Sequence, residues 1–566
     1  MTLVGLLLIY LYDWMGAPSI TFGRGDLPNV IKSAWYPRKC PPHGGELYMP
    51  ETTIDVASIV KSGLDRCPIA LGSKEGSDQL SIRASRQLYH STVKFPCVNV
   101  KAGDCAMQLD MSRMSDVLSW DKGRKTITVQ PSMEMDHLMD TMHELGMSMP
   151  SDYIPIFTGL TVGGMFLTGA HGSSTERPSA FGHAISRITY VDGRGEVREE
   201  DNPTRWIGTM GLLGIVTEIE IQGTEMYKLN TTVVKESDRR LPERIAMLVR
   251  ELSFARVMWY PNARTAIVRW HTSVPPDTPG DAFHSFFEHR PWAAIGGKFS
   301  LAIDQINFTP LPTDWGICFF EQRPPPFWYK EGEIGHWKIF NQSIIGWPHR
   351  LGGSSCRGRL SGCYWQNQVQ ILIEFDMDVR YLGDWIREVR AITDLIPHQG
   401  CLPSLLGFAM RFGKGSDAPL DMAYGRDTVY IDMLVSKGLA GLPAHHQDIL
   451  DEIEQITFCK YGARAHWGKN PQRAFLHPEC PMKDKYPELE NFLDTARQQD
   501  PRGIFVPPLF RKVMEESEYS YYPGCASSMD CYCRDDVHCG PSILYKCDKG
   551  RHSQAAKVCR KRFQRY

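Results

Sequence analysis

The sequence predicts an α+β protein of two or more domains that ends in a small cysteine-rich tail. Three observations point to this class. At 566 residues, the chain exceeds the size at which one hydrophobic core stops growing. Strand and helix patterns alternate through the first 225 residues and then change to longer strands, amphipathic helices and a Pro- and Trp-rich stretch. Six of the 16 cysteines lie in the last 42 residues.

Composition excludes several classes of protein. With 42% hydrophobic and 23% charged residues, the chain has enough apolar surface to fold, which argues against disorder. The net charge is −2, from 63 basic and 65 acidic residues. That balance argues against a nucleic-acid or anionic-membrane binder driven by bulk charge, although a local basic pocket stays open.

The N-terminus contains one apolar run, "LVGLLLIYLY" (Leu3 to Tyr12). Ten residues are too few for a membrane span and about right for the core of a signal peptide, so we expect no integral span. No basic residue precedes the run and no A-x-A cleavage site follows it. Residues 1–25 are therefore a candidate signal segment, with a buried helix as an equal alternative.

Each element of the first half follows from a local pattern. Apolar residues at helical spacing predict a helix over Thr53–Leu64. A strand is predicted over Thr126–Val129, followed by a helix from about Met133 to Leu145 that ends at Gly146. The stretch "RITYVDGRGEVRE" predicts a hairpin that turns at Asp192-Gly193. "GLLGIVTEIEIQG" predicts a helix end or a turn, followed by a strand.

The second half predicts a mixed antiparallel sheet with helices on one face. "ARVMWYPNARTAIVRWH" indicates two strands around Pro261-Asn262, and "NQVQILIEFDMDV" a further strand. "YLGDWIREVRAITDLI" and "HHQDILDEIEQITFCKYG" have the apolar spacing of amphipathic helices.

The tail predicts disulfides in an oxidising compartment, because six cysteines in a short segment form an even set. Zinc bound with His538 is the alternative, disfavoured because no Cys-x-x-Cys pair is present. Three Asn-x-Ser/Thr triplets, at Asn230, Asn307 and Asn341, are compatible with glycosylation.

The stretch "GLTVGGMFLTGAHGSS", Gly159 to Ser174, is unusually rich in glycine. It carries neither a Rossmann fingerprint nor a Walker loop. Its glycines let the backbone approach a flat or phosphate-bearing ligand, and successive amide N–H groups can hold an anion. A tight glycine-rich crossing between packed strands is the alternative for the stretch alone.

This stretch resembles the second flavin motif of the vanillyl-alcohol-oxidase type of FAD-binding domain. "HWGKN" (466–470) resembles the C-terminal signature of the same family, and "DPRGIF" (500–505) resembles its closing stretch. Aldonolactone oxidoreductases share that domain. The cysteine-rich tail resembles the extension found in plant L-gulonolactone oxidases.

The resemblance implies a two-subdomain FAD-binding domain of the PCMH type at 42–225. A substrate domain follows at 226–515 and the disulfide tail at 520–566. The positions that match the family's FAD contacts are His90, Ser91, Gly163, Gly164, Gly169, Ala170, His171, Gly172, Ser173, Gly214, Ile215 and Val216.

The first flavin loop departs from the family pattern. "SRQLYHSTVKFPC" makes His90 the candidate for covalent attachment of FAD and Ser91 a phosphate donor. The family's glycines before the histidine are replaced by the larger residues at 86–89, whose side chains would crowd the pyrophosphate. A partly exposed loop histidine is the alternative for His90.

The resemblance implies three catalytic residues. Lys469 would supply positive charge beside the reduced flavin, and His466 would orient substrate or accept its proton. "GFAMRF" (407–412) resembles the family's strand "VEVRF", in which a Glu and an Arg face the substrate. Arg411 is retained, whereas Ala409 takes the place of the glutamate.

The expected function is FAD-dependent oxidation of L-gulono-1,4-lactone toward L-ascorbate, with O2 reduced to H2O2. No metal and no nucleic-acid partner are expected. The expected location is the secretory pathway, outside the cell or in the vacuole or ER lumen, with membrane association open. The alternatives are a dehydrogenase that uses another acceptor, an oxidase of other carbohydrates or alcohols, and a flavin-poor binding protein on the same fold.

Overall fold

The computed structural model describes residues 46–67, 80–86, 95–99, 102, 105–155, 160–284, 329–331, 342–352, 370–395, 407–436, 446–515, 519–540 and 542–562. The candidate signal segment, His90, Ser91, Asn307 and Asn341 lie outside the described residues. Within the described ranges, no helix has both the length and the apolar character that crossing a membrane requires.

The first sheet has three parallel strands in the order β1-β3-β2. They are β1 Leu47–Tyr48, β2 Ser81–Ser85 and β3 Ala106–Asp110. Helix α1, Thr53–Arg66, packs on this sheet and confirms the predicted helix. A capping box between Thr52 and Asp55 fixes its start. The disulfide Cys67–Cys105 joins the end of α1 to the start of β3.

The second sheet has five antiparallel strands in the order β4-β5-β8-β6-β7. They are β4 Val117–Asp121, β5 Thr126–Val129, β6 Ile185–Val191, β7 Val197–Asp201 and β8 Ile215–Gln222. The predicted strand at 126–129 and the hairpin at Asp192-Gly193 are confirmed. Two helices precede β6, namely α2 Met135–Glu144 and α3 Val162–Thr168. These two sheets form the two-subdomain first domain.

The third sheet has eight strands, and every described pairing in it is antiparallel. Its order is β14-β9-β11-β10-β16-β17-β15-β18. The strands are β9 Lys228–Ser237, β10 Ala255–Tyr260, β11 Thr265–Val274, β14 Gln342–Gly346, β15 Gln370–Asp378, β16 Phe408–Gly413, β17 Thr428–Ser436 and β18 Arg464–Ala465. A separate pair is formed by β12 Ala282–His284 and β13 Tyr329–Glu331.

This large sheet has one apolar and one polar face, because side chains alternate along each strand. Its apolar face packs against helices, as in the ring contacts of Trp259 with Trp385 and of Phe375 with Phe458. The helices of this domain are α4 Leu241–Glu251, α5 Pro348–Leu351, α6 Leu382–Asp394, α7 Gln447–Gln455, α8 Leu489–Gln499 and α9 Pro508–Glu515. The polar face meets the segment that follows α3.

The chain returns to the first domain through "DPRGIF". The Ile504 carbonyl accepts a hydrogen bond from the Ile82 amide of β2, and Phe505 packs in the core below α1. The two Asp500 carboxylate oxygens accept the amides of Ile504 and Phe505 and so shape this turn.

The cysteine-rich tail is a small unit built on the hairpin of β19 Tyr545–Lys549 and β20 Lys557–Lys561. Its six cysteines form the disulfides Cys525–Cys531, Cys533–Cys547 and Cys539–Cys559. The predicted disulfide tail is confirmed, and the zinc alternative loses its ligands.

The first candidate glycosylation site does not lie in a surface loop. Asn230 sits inside β9, between Thr272 of β11 and Ile345 of β14, and its side-chain oxygen is buried. A glycan needs an exposed asparagine, so the folded sheet disfavours modification of Asn230.

Candidate active site

The glycine-rich stretch forms the short helix α3 and the turn that follows it. The Thr161 hydroxyl caps the helix by accepting the Gly164 amide at 3.2 Å. Gly169 ends the helix at a φ of +70°, a left-handed conformation that glycine adopts without strain. The stretch is therefore a capped helix rather than an irregular crossing.

The glycines differ in what they face. A Cβ on Gly163 would lie 2.7 Å from the Pro131 Cβ, and one on Gly172 would lie 2.0 Å from the Asp152 carbonyl oxygen. These two glycines are required by contacts within the protein. Gly164 is exposed, and Ala170 is buried behind the helix end. Among these glycines, Gly164 offers bare backbone on an open face.

Two buried residues of the stretch make specific contacts within the protein. Ser173 is fully buried, its hydroxyl donates to the Ala255 carbonyl at 2.7 Å and it accepts the Phe412 amide at 3.1 Å. Ser173 thus ties the first domain to the large sheet, and its contact with FAD stays a prediction. His171 is also buried, stacked on the Tyr430 ring at 3.6 Å. Burial lowers the pKa of His171 to about 4, so its ring is neutral near pH 7.

Glu374 of β15 is the centre of the polar face. One carboxylate oxygen accepts from His171 Nε2 at 3.1 Å and lies 3.7 Å from His466 Nε2. The other accepts from Arg411 at 2.8 Å and from Lys469 Nζ at 2.6 Å. Burial alone would raise the pKa of Glu374, but Lys469 beside it holds that pKa well below its ordinary value.

Asp432 of β17 completes the ionic pairing. It accepts from Arg411 at 2.5 Å and from Lys469 at 2.8 Å. Arg411 also donates to the His171 carbonyl at 2.7 Å. Burial would lower the pKa of Arg411, but the two carboxylates outweigh burial and raise it. The cations Arg411 and Lys469 are therefore each paired with the carboxylates Glu374 and Asp432. Buried charges are tolerated when they are paired in this way.

The structure brings the three predicted catalytic residues together around Glu374. Lys469 is the most open of them, because 20% of its side chain is exposed against 4% for Arg411 and 3% for His466. Lys469 is thus the charged group that a ligand on this face meets first.

His466 is held as a neutral ring of defined orientation. Burial lowers its pKa well below the ordinary value, and its Nδ1 accepts the Gly468 amide at 3.0 Å. The proton of the neutral ring therefore belongs on Nε2, which has no hydrogen-bond partner among the described residues. The Asn470 side-chain oxygen accepts the amides of His466 at 3.0 Å and of Glu374 at 3.3 Å.

A further carboxyl group lies two residues along the same face of β15. Asp376 is fully buried, and neither carboxyl oxygen has a hydrogen-bond partner in the part of the chain that the structure describes. Burial and then Glu374 raise the pKa of Asp376 well above its ordinary value. A neutral, protonated Asp376 fits this position better than a third buried charge.

Sequence reasoning missed Glu374 and Asp432, although a signal for both was present. In β15, Glu374, Asp376 and Asp378 alternate with apolar residues, and in β17 Asp432 does the same. Alternation inside a strand puts such acids on one face. Two carboxylates therefore lie near Ala409, which replaces the family's glutamate, because Ala409 pairs with Asp432 and Asp432 pairs with Glu374.

The predicted adenine-end segment lies at the start of β8. Gly214 has a φ of +151°, and a Cβ there would lie 2.7 Å from the Val191 carbonyl oxygen. Ile215 and Val216 are buried in the core of the first domain. Contact of FAD with these three residues stays a prediction, as it does for His90 and Ser91.

Small residues lie where the first domain meets the domain of the large sheet. A Cβ on Gly468 would lie 3.4 Å from Thr168 of α3, so the helix directly adjoins the turn that carries Lys469. We call the place where α3 meets this turn the seam. It is formed by Gly164, Thr168 and Gly468, none of which has a bulky side chain. These are the described residues that would hold FAD, and Lys469 beside them would supply positive charge.

Three family models match the chain. An FAD binding domain matches residues 97–200, D-arabinono-1,4-lactone oxidase matches 356–513, and the C-terminal domain of L-gulonolactone oxidase 2-like proteins matches 522–561. The first two models meet at the seam, because α3 belongs to one and the Glu374 cluster to the other.

Curated relatives match over most of the chain. L-gulonolactone oxidase 3 of Arabidopsis thaliana is 25% identical over 514 residues, which are 85% of this chain and 85% of that protein. L-gulonolactone oxidase 5 of the same plant is 26% identical, over 90% of this chain and 88% of that protein. The L-gulonolactone oxidase of Mus musculus is 21% identical, over 72% and 84%.

Solved structures share the fold. A solvent-stable cholesterol oxidase matches with a TM-score of 0.61 and 15% identity, over 86% of this chain and all of that chain. A chitooligosaccharide oxidase matches with a TM-score of 0.55 and 11% identity, over 88% and 98%. Together with the family models, these matches support FAD as the cofactor and confirm the α+β, PCMH-type fold.

Proposed function

We propose that this chain, an FAD-dependent oxidoreductase of the aldonolactone oxidase type, oxidises L-gulono-1,4-lactone at C2 toward L-ascorbate. In this reaction the lactone loses two electrons and two protons, and O2 takes them up to become H2O2. The matched lactone-oxidase model and the plant and mouse relatives support this substrate class.

The observation that carries the proposal is the Glu374 cluster beside α3. Oxidation of a secondary alcohol needs an acceptor for a hydride and a surface that orients the hydroxyl group. FAD, when bound, supplies hydride acceptance. The chain supplies Lys469, which the carboxylates of Glu374 and Asp432 hold in place at 2.6 and 2.8 Å. The fixed positive charge of Lys469 stabilises negative charge that develops on a bound ligand during the reaction.

His466 has a narrower role than the sequence suggested. Because its Nδ1 is occupied by the Gly468 amide, the neutral ring presents an Nε2–H group. That nitrogen is buried and lies 3.7 Å from the Glu374 carboxylate. Because it already carries the proton, a role in fixing the orientation of the site fits His466 better than acceptance of the substrate's proton. Arg411 lies behind the cluster, where it fixes the positions of Glu374 and Asp432.

The first experiment measures the cofactor and the reaction separately. An absorbance spectrum of purified protein, before and after acid precipitation, reports bound FAD and any covalent link through His90. Air-saturated protein is then given L-gulono-1,4-lactone and other aldonolactones while H2O2 is measured. Reduction of an artificial acceptor without H2O2 would indicate the dehydrogenase alternative. A folded protein that binds no FAD would overturn the proposal in favour of a binding protein.

We predict that Lys469→Met keeps FAD bound and slows flavin reduction by about 10²-fold, the size of losing one preorganised electrostatic group. Anaerobic stopped-flow absorbance at saturating lactone measures this rate. Lys414→Met, which removes the surface pair of Lys414 with Asp427, is the matched control and should leave the rate unchanged. Equal rates in the two variants would remove Lys469 from the mechanism.

A location in the secretory pathway is also part of the proposal. Its support is that every cysteine among the described residues is in a disulfide, including the three bridges of the tail. Detection of the protein with its cysteines in disulfides, in an extracellular, vacuolar or ER-lumen fraction, would support this location. Detection of a reduced protein in the cytosol would contradict it.

A further inference from the structure

Helix α7 is an acidic helix that is buried along its whole length. All nine residues of Gln447–Gln455 are buried, and four of them carry carboxyl groups. Ile449 and Ile453 belong to the main hydrophobic core. The opposite, carboxyl-bearing side of an amphipathic helix normally faces water. In this protein the tail, residues 519–562, covers that side.

The tail binds α7 through specific polar contacts. Glu452 accepts three consecutive backbone amides of the tail, from Arg551, His552 and Ser553, at 2.8, 2.7 and 2.5 Å. Gln455 donates to the Lys557 carbonyl at 2.9 Å and accepts the Lys557 amide at 3.0 Å. Such paired contacts fix the tail in one register on the helix.

Arg473 contacts both the tail and α7, and it lies shortly after residues 466–470, which include His466 and Lys469. Its fully buried guanidinium donates to Asp451 at 2.7 Å and to Glu454, both on α7. The Tyr532 ring of the tail covers the guanidinium, with its centroid 4.6 Å from the central carbon. The Tyr519 hydroxyl, also of the tail, donates to the Arg473 carbonyl at 3.0 Å.

Arg473 follows closely on the catalytic turn, residues 466–470. Three residues earlier, Asn470 joins this turn to β15 by accepting the amides of His466 and Glu374. A second connection runs through the residues after α7. Phe458 contacts the ring of Phe375, the neighbour of Glu374, and the disulfide Cys459–Cys480 closes the segment that contains the catalytic turn.

We propose that Arg473 is a positioning residue through which the cysteine-rich tail holds the catalytic turn against Glu374. The tail is then part of the active-site scaffold, although none of its residues lies in the Glu374 cluster. Loss of the Tyr532 ring frees Arg473 from one side, and the displacement passes to Asn470 and the turn. The rate measurement rests on the proposed function, whereas the structural measurement below does not.

The test compares Tyr532→Leu with Tyr532→Phe in the full-length protein. The Tyr532 hydroxyl has no hydrogen-bond partner among the described residues, so the ring alone should matter and the Phe variant should behave as wild type. Tyr522→Leu, an exposed residue of the same tail, is the control for an identical substitution. Hydrogen–deuterium exchange of the peptide 464–471 and the rate of flavin reduction by L-gulono-1,4-lactone are measured in all variants.

We expect Tyr532→Leu to exchange faster at 464–471 and to reduce its flavin about 10-fold more slowly, since small displacements of catalytic groups have effects of that size. If Tyr532→Leu fails to fold, Tyr519→Phe, which removes one hydrogen bond to Arg473, decides by the same two measurements. A lower melting temperature with unchanged exchange and rate would overturn the inference and make the tail a stabilising cover. A wild type that does not oxidise lactones, with exchange that still depends on Tyr532, would overturn only the proposed function.

Discussion

Among single residues, Glu374 has the most partners in the site, since its two carboxylate oxygens face His171, Arg411, Lys469 and His466. Its side chain is completely buried. A buried carboxylate is stabilised only when its partners are in place, and the reverse holds for the cations around it. Removing Glu374 would leave Arg411 and Lys469 with Asp432 as their remaining carboxylate within the cluster.

We therefore predict that Glu374→Gln lowers the free energy of unfolding by about 3–5 kcal/mol, the cost of breaking a buried ion pair from one side. Urea unfolding at pH 7 measures the change. Glu225→Gln, which removes the exposed pair of Glu225 with Lys125 at 2.8 Å, should change stability by less than about 1 kcal/mol. A Glu374 variant as stable as that control would mean that the cations find other partners.

Among the elements, α3 and the turn after it contain two glycines, Gly164 and Gly172, that have different surroundings. Gly172 lies against the backbone of residues 152–154, which cannot move away as a side chain can. Gly164 is exposed, and a Cβ there would approach the hydroxyl of Thr161, the helix cap. Gly172 is therefore required for packing within the protein, whereas Gly164 lies on the exposed side of the seam.

We predict that Gly172→Ala lowers the free energy of unfolding by more than about 3 kcal/mol, because overpacking against a fixed carbonyl forces the backbone apart. Gly164→Ala should stay within about 1 kcal/mol of wild type, since alanine favours the helix while the cap adjusts. The Gly164 variant should instead retain less FAD through gel filtration. Equal loss of stability in both variants would contradict this division.

Helices and strands whose apolar residues recur at regular spacing were predictable from the sequence. Residues of the site were predictable only where a sequence motif contains them. The strand at 126–129 has the predicted bounds because turn residues limit it on both sides. Lys469 and His466 were found through "HWGKN". Glu374 and Asp432 were missed because they come from two strands far apart in sequence, which become neighbours only through sheet pairing. The bond from the Ser173 hydroxyl to the Ala255 carbonyl was also not predictable, because a hydroxyl beside glycines indicates a donor but not what it binds.

At the scale of the whole molecule, histidines that are buried or half-buried make stability depend on pH. Burial lowers the pKa of His477 to about 4, of His171 to about 4 and of His349 to about 3. The unfolded chain binds these protons near pH 6.5, before the folded protein does. Their contribution to stability is therefore complete above about pH 6.5 and is lost as the pH falls toward 4.

Two buried carboxyl groups act in the opposite sense. Burial raises the pKa of Asp451 to about 7 and of Asp500 to about 6. The folded protein binds these protons before the unfolded chain does, so their contribution is complete below about pH 3.9 and is lost as the pH rises through 6 and 7. The observed profile is the sum of both sets, and a single variant is needed to separate one group from it.

His477 provides that variant, because it lies outside the Glu374 cluster and beside the disulfide Cys459–Cys480. A pKa lowered from 6.5 to about 4 corresponds to about 3 kcal/mol of stability lost between pH 6.5 and 4. His477→Gln, which cannot titrate, should therefore lose about 3 kcal/mol less than wild type over this range in urea unfolding. Parallel curves for wild type and His477→Gln would mean that His477 titrates in the folded protein as it does in the unfolded chain.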